Sequence, residues 1–157
     1  MTASRGKQFA FLIGRLLAGG IYLSAGVGNL TQLDNTAGYV ASKGLPNPDM
    51  WVTLASLLLI VGGFSIITGI WPRLGVGALV LFLVPVTLIM HNFWAVDGMQ
   101  RINEMRSFLG NLALLGSAVM FLAIPRPWSL SLDALLSSLI GAVRQRQMSR
   151  IAERAEP

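Results

Sequence analysis

Runs without Asp, Glu, Lys or Arg extend over Leu16–Leu33, Met50–Pro72, Leu74–Val96 and Ser107–Pro125. Each is close to the ~20 apolar residues that cross a ~30 Å hydrocarbon core, so four membrane-spanning helices are expected. Phe9 to Ile13 carries the apolar character ahead of Leu16, which places the start of the first helix before Arg15. The helices are expected at about 9–30, 50–71, 75–95 and 107–124. Trp71-Pro72-Arg73-Leu74-Gly75 leaves so short a connection that the second and third helices must be antiparallel neighbours.

The other connections, about 31–49 and 96–106, are longer. Asn35, Gly38, Gly44, Pro46, Asn47 and Pro48 read as loop, and Asp49 as the cap of the second helix. Beyond Pro125-Arg126-Pro127, Leu132, Leu135, Leu136, Leu139, Ile140 and Val143 recur at steps of three and four. This stretch is too short and too polar to span, and reads as an amphipathic helix on the membrane surface with Arg144, Arg146, Arg150 and Arg154 toward lipid or a partner. The alternative is a helix packed under its own bundle. The expected fold is therefore all-α: an antiparallel four-helix transmembrane domain over 1–126, and an amphipathic helix with a basic tail over 127–157.

Composition sharpens this reading. Of 157 residues, 54% are hydrophobic and 12% charged, against roughly 25% charged in soluble domains; a soluble enzyme or a disordered chain is disfavoured. The net charge of +5 raises the question of nucleic acid, and its distribution answers it. Arg5, Lys7, Arg73, Arg126, Arg144, Arg146, Arg150 and Arg154 flank one side of the spans, and Lys43, Arg101 and Arg106 the other. Eight against three places both termini in the cytoplasm and leaves no case for nucleic acid. A signal peptide is disfavoured because Arg15 would interrupt its apolar region. The lack of cysteine and the single histidine exclude disulfides, thiolate-held metals and a two-histidine haem or metal site within one subunit.

Helices in lipid associate through small residues and a few polar contacts. Gly20, Ser24 and Gly28 in the first span, Gly62, Gly63 and Gly69 in the second, and Gly110, Ala113, Gly116 and Ser117 in the fourth are the expected seams. Pro85 should bend the third span. Polar residues at matched depth near the external ends, Asn29, His91, Asn92, Arg106 and Asn111, with Ser107, form a candidate hydrogen-bonded cluster. Histidine titrates near neutral pH and can exchange a proton at a quinone oxygen; its alternative role is to bond a helix end. Arg15, about 9 Å into the first helix, either snorkels, meets Asp133 or an anionic lipid, or faces a ligand.

The stretches Gly14-Arg15-Leu16 to Gly28-Asn29-Leu30, Gly62-Gly63 with Thr68-Gly69-Ile70-Trp71-Pro72-Arg73, His91-Asn92-Phe93-Trp94-Ala95 and Phe108-Leu109-Gly110-Asn111 occur in an order that resembles the DoxX family of small four-helix bacterial membrane proteins. The resemblance covers about residues 9–125. It implies the bacterial inner membrane and association with quinone-linked redox systems, and it draws interest to Arg15, Asn29, His91, Phe93, Trp94 and Asn111. Relatives often carry Lys at the Asn29 position and a carboxylate shortly before the double glycine, where this chain has Leu57, Leu58 and Leu59.

The leading expectation is an accessory subunit of a membrane redox system. Such a subunit would use a quinone that is not covalently held, while partner subunits hold the redox centre. A non-catalytic scaffold or assembly factor is the alternative, and a transporter or channel built as a homo-oligomer the third. Whether the chain is itself an enzyme stays open at this level.

Overall fold

The computed structural model describes residues 4–155, with side chains through residue 148. Six α-helices follow one another: α1 (Arg5–Thr31), α2 (Leu33–Ser42), α3 (Pro48–Thr68), α4 (Pro72–Met90), α5 (Gly98–Met120) and α6 (Leu132–Ala155), with single 3₁₀ turns at Phe93–Ala95 and Phe121–Ala123. There is no strand among the described residues. Four segments are long and apolar enough to cross a membrane: Arg5–Thr31, Pro48–Thr68, Pro72–Ala95 and Gly98–Ala123. The protein is an all-α, multi-pass membrane protein.

Local chemistry sets the boundaries. α3 begins after Asn47 in the left-handed region, with Pro48 at its first position, and stops at Gly69, whose φ of 73° suits a residue without Cβ. Asp49 lies in the first turn, where a carboxylate favours the helix dipole, and is not the residue that caps it. Trp71 then precedes Pro72 at the start of α4. The α3–α4 connection is thus only Gly69–Trp71, and the antiparallel pairing read from the sequence holds. Pro85 lies inside α4, which is continuous from Pro72 to Met90.

Two expected loops are helical. Residues 33–42 form α2 because Leu33, Ala37 and Val40 recur at helical spacing and pack toward Val52 and Met90. α5 starts at Gly98 rather than near 107, and so includes Arg101, Glu104 and Arg106. A charge ends an apolar run, but it does not end a helix. At ~1.5 Å per residue, α5 can extend past the hydrocarbon into the headgroup layer.

α1 packs on α3, α3 on α4 and α4 on α5, while α1 and α5 meet only narrowly. There the Tyr22 hydroxyl lies 2.6 Å from the Leu114 carbonyl, to which it donates, and 3.0 Å from Ser117 Oγ. The core gathers Tyr22, Leu59, Ile66, Leu79, Leu83 and Trp128. The buried face of α1 carries Arg15, Gly19, Tyr22 and Gly26, not Gly20, Ser24 and Gly28. Gly20 and Gly28 face open space, as do Gly110 and Gly116, and Ser24 bonds back to the Ile21 carbonyl. Gly62 and Gly63 do lie at helix contacts. A Cβ on Gly63 would sit 2.7 Å from both the Gly19 carbonyl oxygen and the Leu23 nitrogen, which are backbone atoms that cannot yield cheaply. Gly63→Ala is therefore expected to destabilise by about 1–3 kcal/mol, and Gly20→Ala to be neutral or mildly stabilising; detergent unfolding followed by circular dichroism measures the difference.

Candidate functional site

Two polar assemblies occupy opposite ends of the bundle. At the first, α2 supplies Tyr39 and, at its end, Lys43; four residues apart, they share one helix face. His91 and Asn92 follow the last turn of α4, and Glu104 projects from α5. Glu104 is 7% exposed and is the hub of the assembly. Its Oε1 accepts from Lys43 Nζ at 3.1 Å and lies 3.1 Å from the Tyr39 hydroxyl. Its Oε2 pairs with His91 Nδ1 at 2.9 Å. Lys43 Nζ also donates to Asn92 Oδ1 at 3.1 Å and lies 5.5 Å from the centre of the Tyr39 ring. The single phenolic proton of Tyr39 is shared between Glu104 and the Met90 carbonyl, 2.9 Å away.

An ionised Glu104 can only accept, so His91 Nδ1 carries the proton and Nε2 is the acceptor of the neutral ring. Beside this pair, Phe93, Trp94 and Phe108 meet edge to face, with centroids 5.2, 5.3 and 6.0 Å apart. Trp94 is 56% exposed.

Burial, then the hydrogen bond to Glu104 and its charge, push the Tyr39 hydroxyl up to about 12 from an ordinary 10. A group whose folded value is raised contributes stability below its unfolded value and loses it as pH climbs through the folded one. The wild-type advantage over Tyr39→Phe is therefore expected to be flat, at about 1 kcal/mol, up to pH ~10 and to vanish toward pH ~12. Denaturant unfolding of both proteins across that range, read as a difference, checks it.

Of the residues expected in this cluster, His91 and Asn92 belong to it and Asn29, Arg106 and Asn111 do not. Arg106 and Ser107 are exposed on α5, Arg106 because two residues turn a helix ~200° away from Glu104. Asn111 is half-buried seven residues beyond Glu104, about 10 Å deeper along the helix. Asn29 is half-buried on α1 and makes none of the cluster's hydrogen bonds. The residues that sequence reasoning missed are Tyr39, Lys43 and Glu104. One signal for them was available: Glu104 is the only glutamate ahead of the C-terminal tail.

At the opposite end Arg15 is 1% exposed. It neither snorkels nor meets Asp133, which pairs with Arg126 at 3.0 Å. Instead Nε donates to the Ile66 carbonyl at 3.0 Å and Nη2 to Ile67 at 2.6 Å, both acceptors left open at the C-terminal turn of α3. Nη1 donates to the carbonyls of Ser129 at 3.0 Å and Leu130 at 3.4 Å. Phe11 and Trp128 face the guanidinium at 5.6 and 5.4 Å. The negative end of the α3 dipole takes the place of a carboxylate. Arg15 therefore ties three segments together: α1, the end of α3 and the strand of chain leading to α6.

Among the described residues no three His, Asp or Glu side chains converge as metal ligands. Of the tail arginines, Arg144 and Arg146 are exposed on α6, while the side chains of Arg150 and Arg154 lie outside the described residues.

The family model described as DoxX matches residues 10–92. No curated protein and no solved structure matches the chain.

Proposed function

The chain belongs to the DoxX family, and on that premise we propose that it is an accessory subunit of a quinone-linked membrane redox system, with His91 as its proton-exchanging residue. The observation that carries this reading is the His91–Glu104 pair at 2.9 Å, set beside an aromatic surface at the membrane boundary. Glu104 orients the imidazole through Nδ1; no described residue bonds Nε2. Lys43 and Tyr39 hold Glu104, and Asn92 holds Lys43. An acceptor nitrogen next to Phe93, Trp94 and Phe108 suits an aromatic ring that carries hydroxyl donors, as the quinol form of a quinone does.

A quinone supplies the electron chemistry when bound. No side chain of this protein does, so partner subunits hold any further redox centre. Membership of the DoxX family supports the bacterial inner membrane, the eight-to-three distribution of basic residues supports both termini in the cytoplasm, and His91 then exchanges its proton on the external side.

The test is purification in mild detergent followed by extraction of lipids and identification of co-purifying proteins. Quinone and a redox partner are expected with the wild type, and less quinone with His91→Ala. Absence of both from the wild type, with His91→Ala supporting normal quinol-dependent respiration, overturns the reading.

A further inference from the structure

Independently of the role of His91, we propose that α6 is a membrane-surface helix, its apolar stripe seated at the boundary of acyl chains and headgroups in the leaflet at the Arg15 end of the bundle. Leu132, Leu135, Leu136, Leu139, Ile140 and Val143 fall within an arc of ~140° at ~100° per residue. All six are 45–67% exposed. Apolar groups in such a row need a cover, and the bundle does not provide it. The opposite arc carries Ser137 and Ser138, whose hydroxyls bond back to the Ala134 and Leu135 carbonyls and face water without cost.

The occupant follows from where α6 begins. Arg15 holds the Ser129 and Leu130 carbonyls and the end of α3 on one guanidinium, so Ser131 sits level with the last turn of a membrane span. Ser131 then starts the helix: its Oγ accepts from the Ala134 N–H at 3.1 Å. Leu132 and Leu135 line a shallow cavity of about 470 Å³ together with Ile67 and Thr68 of α3. The stripe is thereby continuous with the flank of α3, which lipid covers, and the same lipid is the partner at hand. Arg144 lies on the edge of the stripe, where a cation meets lipid phosphate.

The chain has no cysteine, so single cysteines at residues 132–143 of the full-length protein can each carry a nitroxide. Collision with oxygen and with a water-soluble nickel chelate is measured by electron paramagnetic resonance in vesicles of phosphatidylcholine and phosphatidylglycerol. The expected result is a 3.6-residue oscillation, with Leu132→Cys, Leu136→Cys, Leu139→Cys and Val143→Cys favouring oxygen and Ser137→Cys and Ser138→Cys favouring nickel. Nickel preference at every position overturns the proposal. So does protection of the stripe from both reagents, whether it is lost when protein is diluted into more lipid, which would assign the face to a second copy, or unchanged by that dilution, which would assign it to packing within one copy.

Discussion

Arg15→Leu is expected to lower the unfolding free energy by about 3–5 kcal/mol, through the hydrogen bonds lost from a charged donor and the acceptors left open. The four carbonyls of Ile66, Ile67, Ser129 and Leu130 lose their donor at once, and buried acceptors left open cost about 1–3 kcal/mol each before the structure relaxes. Leucine also gives up the stacking against Phe11 and Trp128. Arg15→Lys should fall in between, because a compact ammonium cannot span two pairs of carbonyls as a planar fork does. Unfolding titrations in mixed micelles measure the loss, and hydrogen exchange over residues 126–135 should rise in parallel. A leucine variant as stable as wild type, with that segment still protected, would show that the guanidinium does not hold the tail in place.

Glu104→Ala is the second large effect, again about 3–5 kcal/mol. Without the carboxylate, the Lys43 ammonium, 3.1 Å from it in the native state, keeps Asn92 as a hydrogen-bond partner and the face of the Tyr39 ring, and His91 Nδ1 loses its partner. The damage is expected to be local first. α2 is fastened to the bundle by Tyr39 and Lys43 together with the apolar contacts of Ala37 and Val40, so amide exchange in 33–42 should accelerate while the α3–α4 core stays protected. Glu104→Gln keeps an acceptor for one donor and should cost less than half as much. Unchanged exchange in α2 for the alanine variant would mean that the apolar contacts alone seat that helix.

The two assemblies show what a linear reading can and cannot see. The four spans were legible because a bilayer imposes a local requirement, ~20 apolar residues in a row, and the α3–α4 turn was legible because Trp71-Pro72-Arg73-Leu74-Gly75 leaves almost no chain between two such runs; Gly69, expected as a packing seam of the second span, instead ends α3. His91, Asn92 and Arg15 stood out as polar groups within or beside apolar runs. Glu104 did not, since a carboxylate beyond the end of an apolar run looks like part of a solvated loop until α5 is seen to begin at Gly98. Gly20, Ser24 and Gly28 were a plausible seam by spacing, yet α1 turns the neighbouring face, with Gly19 and Gly26, toward α3.

The sequence by itself determined the all-α membrane architecture, the number of spans and the apolar stripe of α6, because each rests on the periodicity or length of one contiguous segment. Tertiary structure alone decided which charges are satisfied and by what. Arg15 finds its acceptors 51 to 115 residues away, and Glu104 its donors 13 to 65 residues away. In both cases the partners lie at helix ends, on other helices or in the segment leading to α6, and only packing brings them within 3.5 Å of one another.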